Sequence, residues 1–164
     1  PSAPEIGLNV IARWLGRFKA CAVTTDITRR FEFDAGHRVF GHEGKCANLH
    51  GHRWRLDVSV TAPELDSIGR VIDFGVIKER IQPWIDKNWD HGFILAEEDQ
   101  AARRAVLSIN GPSKTYILPY NPTSENMAYY LCHTVLPLLL KNSSVALVGV
   151  MLWETPNCHA TVTL

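Results

Sequence analysis

The chain has 164 residues, enough for a single domain with its own apolar core. Apolar residues make up 46% and charged residues 21% of it, which argues against a disordered or fibrous protein. Seventeen basic residues balance seventeen acidic ones, so the net charge indicates neither a nucleic-acid partner nor a membrane partner. No apolar run approaches the roughly 18 residues of a membrane span, and the four cysteines form no C-x-x-C pair. We therefore expect a cytoplasmic protein with free thiols.

In chain order, the first predicted element is a short amphipathic helix over residues 5 to 18, within an N-terminal extension of residues 1 to 28. One domain over residues 29 to 164 is expected to follow. The segment ACAVTTDITRRFEFDAGHRV is rich in β-branched and aromatic residues and predicts a strand. The segment WRLDVSVTA alternates apolar and polar residues, so it predicts a second strand that pairs with the first.

Two helices and further strands are predicted after this hairpin. VIDFGVIKERIQPWIDKN has an apolar stripe at helical spacing, with Asp73 as its N-cap and Pro83 as an irregularity. WDHGFIL is predicted as a turn, and residues 96 to 113 show no clear pattern. TYILPY is strand-like, and NPTSENMAYYLCHTVLPLLLK predicts the second helix, capped by Asn121 or Thr123. SSVALVGVMLWET and HATVTL predict the last strands, and this order is typical of an α+β fold with an antiparallel sheet.

Three histidines and one cysteine lie close together along the chain: His37, Cys46, His50 and His52. His50 and His52 are two positions apart in a strand, so their side chains share a face. The hairpin would bring His37 beside them. Three imidazoles suit Zn²⁺ and leave a position open for water or substrate. The alternative is three unrelated histidines beside a buried thiol.

Cys46 has two interpretations. As a fourth ligand it would complete a structural Cys-His₃ zinc site in a non-catalytic domain. As a thiol near Zn²⁺ and Lys45 it would be available as a thiolate, for use as a general base or nucleophile. The residue types alone do not decide between the two.

Two further polar motifs are candidates for chemistry. In WDHG, Asp90 could orient His91 and stabilise its protonated form, as in a catalytic triad, although such a dipeptide is also a common polar turn. In LWET, Glu154 ends an apolar strand, where a buried carboxylate needs a partner. The guanidine-like edge of a heterocycle would supply that partner, as would an arginine elsewhere in the chain.

Together these motifs resemble the 6-pyruvoyltetrahydropterin synthase family, and more closely its bacterial branch, the 6-carboxytetrahydropterin synthases. The resemblance covers about residues 31 to 163 and rests on FDAGHRV, CANLHGH, VIDFGVIKE, WDHGFIL, NPTSENMA and WET, in the family's order. The short C-x-x-x-H-G-H spacing is similar to that of the carboxy branch.

The resemblance implies a tunnelling fold, in which a four-stranded antiparallel sheet carries two helices on one face and joins other copies into a barrel. It implies a homo-oligomer, a trimer or hexamer, with active sites between subunits. The implied reaction is the zinc-dependent conversion of 7,8-dihydroneopterin triphosphate to 6-carboxy-5,6,7,8-tetrahydropterin, acetaldehyde and triphosphate, a step toward queuosine and other deazapurines.

The resemblance also implies a role for each candidate residue. These are the zinc ligands His37, His50 and His52, the general base Cys46, the proton shuttle Asp90 with His91, and the pterin contacts Glu154, Thr123 and Glu125. The zinc would act as a Lewis acid on the side-chain hydroxyls of the substrate. The alternatives are a 6-pyruvoyltetrahydropterin synthase, which eliminates triphosphate without releasing acetaldehyde, and a non-catalytic zinc domain.

Overall fold

The computed structural model describes residues 24 to 164, and the predicted amphipathic helix at residues 5 to 18 lies outside them. Within the described residues the strands are β1 (Asp26–His37), β2 (His50–Thr61), β3 (Gly92–Ala96), β4 (Thr115–Leu118), β5 (Ala146–Thr155) and β6 (Cys158–Thr163). The helices are α1 (Phe74–Asn88), α2 (Gln100–Asn110), α3 (Ser124–Tyr130) and α4 (Leu136–Leu139), and a π-helical turn (Leu131–Val135) joins the last two. Across residues 24 to 164, no helix combines the length and apolar character needed to cross a membrane.

The strands form one mixed sheet in the order β4-β3-β1-β2-β5-β6. The strands β1, β2, β5 and β6 pair antiparallel, whereas β3 and β4 extend the sheet beyond β1 in parallel. The predicted sheet of four antiparallel strands is therefore corrected to a six-stranded mixed sheet that contains those four. WDHGFIL was predicted as a turn but supplies β3, because Gly92 pairs with Ala35 of a strand far away in the sequence. No local sequence pattern records such a pairing.

Helices cover both faces of the sheet. On one face of the sheet, α1 and α3 pack in the main apolar core. This core includes Ile94 of β3 and Leu118 of β4. Their neighbours Leu95 and Ile117 point the other way and pack in a second, smaller cluster with Val106 of α2. Two helices on one face were predicted, and α2 is an addition on the opposite face. The sequence does not predict α2, because this helix buries little apolar surface and only Ala102 and Val106 are buried.

The β1–β2 hairpin confirms the predicted alternation. The inward residues of β2 are fully buried, namely Trp54, Leu56, Val58 and Val60. Phe33 lies opposite Trp54, and the same register places His52 opposite Ala35 and His50 opposite His37. Because the side chains alternate strictly, the apolar face of the hairpin continues at its end into a face of three imidazoles.

Two of the sequence motifs supply the N-terminal caps of helices α1 and α3. The side chain of Asp73 accepts a hydrogen bond from the Gly75 amide at 2.7 Å, as predicted for the N-cap of α1. Helix α1 continues through Pro83. Of the two predicted caps for α3, Thr123 is the one used, and its hydroxyl accepts from the Asn126 amide at 3.3 Å. Asn121 is therefore free for another contact.

A buried carboxylate, Asp57, lies on the sheet face opposite the main core. It is 8% exposed and accepts two hydrogen bonds from Arg30, at 2.7 and 3.0 Å, and one from the Trp153 indole at 3.3 Å. Burial raises the pKa of Asp57, but the contacts with Arg30 and Trp153 outweigh it and hold the pKa below its ordinary value. The ionised carboxylate therefore stabilises the fold.

We expect Asp57→Asn to lower the free energy of unfolding at pH 7 by about 2 kcal/mol, because the buried side chain loses its charge-assisted hydrogen bonds from Arg30. The stabilisation by an ionised Asp57 is present above the pKa of the unfolded chain and is lost as the pH falls below about 4. The difference from wild type should therefore shrink between pH 7 and pH 3 in urea unfolding. Glu32→Gln, which removes an exposed partner of Arg53, is the control and should cost clearly less than Asp57→Asn because water screens an exposed pair. Equal losses in the two variants would contradict the assignment.

Candidate active site

The end of the β1–β2 hairpin brings the three predicted metal ligands together. The ring centroids of His37, His50 and His52 lie 4.5 to 5.2 Å from one another. His37 is fully buried and the other two are half-buried. The rings of His37 and His52 also pack edge-on against Trp54, at 5.0 and 5.5 Å. The buried indole thus forms a rigid floor that limits how far these rings can turn.

Two of the imidazoles are held by backbone carbonyls. His37 Nδ1 lies 2.8 Å from the carbonyl oxygen of Pro122, and His50 Nδ1 lies 2.8 Å from that of Asn48. A carbonyl oxygen only accepts, so Nδ1 is the donor in both rings and Nε2 is the nitrogen left to face the site. Metal-binding histidines are commonly oriented in this way by a partner on their second nitrogen.

Glu154 of β5 is the fourth member of this group. Its Oε1 lies 3.3 Å from His37 Nε2 and 3.4 Å from His52 Nε2. One ligand atom from each of the three histidines and Glu154 lies within 4.8 Å of all the others. The Nε2 atoms of His37 and His52 are buried and have no aligned hydrogen-bond partner. A metal ion would satisfy both nitrogens, and the set of nitrogen and oxygen donors fits zinc as well as other divalent ions.

The protonation states also favour a metal. Burial lowers the pKa of His52, and the neighbouring His37 and His50 lower it further, although Glu154 opposes them. This imidazole is therefore kept neutral, with a lone pair available for a ligand bond. The pKa of Glu154 is lowered chiefly by the adjacent His37, against the effect of burial. A neutral His52 beside an ionised Glu154 is the combination of forms that binds a cation.

Cys46 lies in a short 3₁₀ turn, Lys45–Ala47, in the loop between β1 and β2. It is half-buried, and its carbonyl oxygen accepts from the Val39 amide at 2.9 Å. Cys46 is not one of the four residues whose ligand atoms converge. In this geometry, the Cys46 thiol lies outside the group of ligand atoms that converge.

Asp90 and His91 form the predicted pair. His91 Nδ1 lies 2.9 Å from Asp90 Oδ2, while Asp90 Oδ1 accepts from the Asp34 amide at 3.0 Å. The His91 amide donates to the Asp34 carbonyl at 2.7 Å, which holds His91 at a left-handed φ of 55°. Burial raises the pKa of Asp90, but the contacts from Asp34 and His91 lower it further than that. The carboxylate is thus ionised and fixes an exposed imidazole.

Two adjoining cavities surround the site. A cavity of about 500 Å³ is lined by His50, His52 and His91, so it joins two predicted metal ligands to the predicted proton shuttle. A cavity of about 380 Å³ is lined by His52 and Glu154. Among the remaining candidates, Thr123 caps α3, Glu125 is exposed in its first turn, and Cys46 lies in the β1–β2 loop. None of these three lines either cavity.

The sequence does not predict the contacts that the carbonyl groups of Pro122 and Asn48 make with the histidines. A backbone carbonyl has no signature of its own, because every residue carries one. The motif NPTSENMA was the available signal for Pro122, but the resemblance implied roles there for Thr123 and Glu125 only.

Comparison with known proteins shows which family the chain resembles. Residues 26 to 164 match the family model described as 6-pyruvoyl tetrahydropterin synthase. The chain belongs to this family. A Rickettsia bellii protein named 6-carboxy-5,6,7,8-tetrahydropterin synthase is 43% identical over 135 residues, which are 82% of this chain and 97% of that protein. A protein of the same name from Haemophilus influenzae is 32% identical over 134 residues, 79% of this chain and 92% of that protein.

Solved structures of related fold support the family assignment. An uncharacterized protein from Wolinella succinogenes has a TM-score of 0.72 at 25% identity, covering 87% of this chain and 99% of that chain. The 6-pyruvoyl tetrahydropterin synthase of Caenorhabditis elegans has a TM-score of 0.61 at 25% identity, covering 86% of this chain and 96% of that chain. The predicted family is confirmed, and with it a lyase enzyme on an α+β fold.

Proposed function

We propose that the chain converts 7,8-dihydroneopterin triphosphate and one water molecule to 6-carboxy-5,6,7,8-tetrahydropterin, acetaldehyde and triphosphate. The observation that carries the proposal is the convergence of three imidazoles and a carboxylate beside the cavity lined by His91. The names of the Rickettsia and Haemophilus relatives favour the carboxy branch of the family over the pyruvoyl branch.

We infer that His37, His50 and His52 hold a zinc ion. The orphaned Nε2 atoms of His37 and His52 and the backbone contacts of His37 and His50 support this set. Zinc bound there would supply Lewis-acid chemistry, making the side-chain hydroxyls of the substrate more acidic.

We propose that Cys46 acts as the general base and His91 as the second proton carrier. A thiol that is not used as a ligand is free to take a proton from the substrate side chain. Asp90 orients the His91 ring through Nδ1, so Nε2 is the nitrogen that exchanges a proton in the cavity. An ionised Asp90 also stabilises the imidazolium formed when His91 is protonated.

We propose that Glu154 binds the pterin, with Thr123 and Glu125 nearby. A carboxylate accepts two parallel N–H bonds from an amino-pyrimidine edge, which gives both affinity and orientation. The lowered pKa of Glu154 supports this role because only the ionised form accepts both bonds. Its position beside His37 and His52 would hold the pterin next to the metal.

We propose a trimer or hexamer whose active sites lie between subunits. The support from this chain is that Cys46 is not among the residues lining the cavity that holds His91. A site shared between chains would bring the two groups to the same substrate. We further propose that the enzyme acts in the cytoplasm, on a route toward queuosine and other deazapurines.

Product analysis tests the proposed function. Zinc-loaded protein is incubated with 7,8-dihydroneopterin triphosphate, aldehydes are trapped, and pterins are separated, with chelator-treated protein as the control. We expect acetaldehyde and 6-carboxy-5,6,7,8-tetrahydropterin in equal amounts from the zinc-loaded protein only. Triphosphate without acetaldehyde would instead assign the chain to the pyruvoyl branch and overturn the proposal.

A further inference from the structure

The side chain of Asn121 joins two segments that meet at the candidate site. Its Oδ1 accepts from the Phe40 amide at 2.8 Å, and its Nδ2 donates to the Phe40 carbonyl at 2.8 Å. Both ends of one amide are thus used by the backbone of a single residue. Phe40 follows His37 by three positions, so this contact fixes the chain just beyond the end of β1.

The residue after Asn121 makes the contact with the metal site. Pro122 is buried, and its carbonyl oxygen lies 2.8 Å from His37 Nδ1. The Asn121 carbonyl is held in turn by Asn126 Nδ2 at 2.9 Å, from the first turn of α3. The Pro122 carbonyl is therefore fixed on one side by α3. On the other side it is fixed by the two hydrogen bonds between the Asn121 side chain and the Phe40 backbone.

The same pair of hydrogen bonds between Asn121 and Phe40 also fixes the loop that carries Cys46. Val39 precedes Phe40, and its amide donates to the Cys46 carbonyl at 2.9 Å. Asn121 thus touches the chain between the buried His37 ring and the half-buried thiol without touching either side chain. Asn121 makes four hydrogen bonds of ordinary length, counting the one that its carbonyl accepts from the Thr123 amide at 2.9 Å.

We propose that Asn121 is a positioning residue for the metal centre. By holding Phe40 it sets the Pro122 carbonyl against His37 Nδ1, which keeps the Nε2 lone pair of His37 directed at the site. Loss of the direct partner of a metal-binding histidine typically weakens metal binding by about 10- to 100-fold. Asn121 acts through that partner, so we expect a loss near the lower figure. The inference rests on the proposed metal centre of three histidines, and it gives the NPTSEN motif a role separate from pterin binding.

The test compares zinc affinity in wild type, Asn121→Ala and Asn88→Ala, measured by competition with a chromophoric chelator. Asn88 is the matched control, because its Nδ2 donates to the Trp84 carbonyl at 2.8 Å within α1 and its loss removes a similar bond. We expect Asn121→Ala to bind zinc about 10-fold more weakly than wild type, and Asn88→Ala to bind as wild type does. In the metal-free proteins, ¹⁵N spectra of His37 should show the Nδ1-protonated tautomer in wild type and a mixture in Asn121→Ala.

Zinc affinity of folded Asn121→Ala within twofold of wild type would overturn the proposal, as would an equal loss in Asn88→Ala. Should Asn121→Ala fail to fold, Asn121→Asp carries the same test. It keeps the acceptor for the Phe40 amide and loses the donor to the Phe40 carbonyl, so we expect a several-fold loss. An unchanged affinity in Asn121→Asp would then overturn the proposal. Absence of zinc binding by wild type would overturn the metal centre itself. This measurement therefore separates failure of the metal centre from failure of the proposed role of Asn121.

Discussion

Replacement of Cys46 by alanine is expected to remove most of the turnover and leave the zinc bound. The converging donors are three histidines and Glu154, so loss of the thiol takes no donor away from the metal. A general base contributes about 10²- to 10⁴-fold to a rate, and we expect kcat to fall within this range. The measurement is kcat for acetaldehyde release, together with zinc content per chain, in wild type and variant.

Cys158→Ala is the matched control for this prediction. Cys158 is also a free cysteine, but it is exposed on β6 and lies outside the donor group. Its loss should change neither kcat nor zinc content. If Cys46→Ala instead loses its zinc along with its activity, the thiol is a ligand and the proposed division of roles is wrong.

Replacement of His50 by alanine is expected to release the metal and abolish activity while the chain stays folded. His50 is half-buried at the end of the hairpin, whereas His37 is fully buried and its removal would also leave a cavity. Loss of a direct ligand should weaken zinc binding by more than the roughly 100-fold upper figure for an outer partner. Zinc affinity and urea unfolding of the metal-free proteins measure the two effects separately.

His133→Ala provides the control for His50→Ala. The His133 ring is exposed and its Nδ1 lies 3.1 Å from the Tyr129 carbonyl, so it also makes a ring-to-backbone contact, but outside the donor group. Zinc affinity should be unchanged in this variant. Unfolding of the wild-type chain when zinc is removed would contradict the account, because it is the behaviour of a structural zinc domain.

The cluster of three histidines could be predicted from sequence because their positions follow from strand alternation. The apolar face of WRLDVSVTA fixes which residues of β2 point inward, and that register extends back to His52 and His50. Because one loop joins the two strands into a hairpin, His37 at the end of β1 lies opposite His50 at the start of β2. Local periodicity therefore determines a site that is built within a single hairpin.

The features missed from the sequence all depend on contacts between distant segments. Strand β3 exists because Gly92 pairs with Ala35, and α2 is held by only a small cluster around Val106. Glu154 joins the histidines because β5 pairs with β2, which places two strand ends side by side. The sequence showed that Glu154 needed a partner but not that its neighbours would be two imidazoles.

The proposed centre is a metal held by histidine nitrogens, with Cys46 left free for chemistry. X-ray absorption at the zinc edge of the zinc-loaded protein tests this most directly, because Zn–N and Zn–O bonds are about 2.0 to 2.2 Å and Zn–S bonds about 2.3 Å. We predict a first shell of nitrogen and oxygen alone, with the imidazole pattern of three histidines and no change in Cys46→Ala. A sulfur shell that disappears in Cys46→Ala would contradict the account and make the cysteine a ligand.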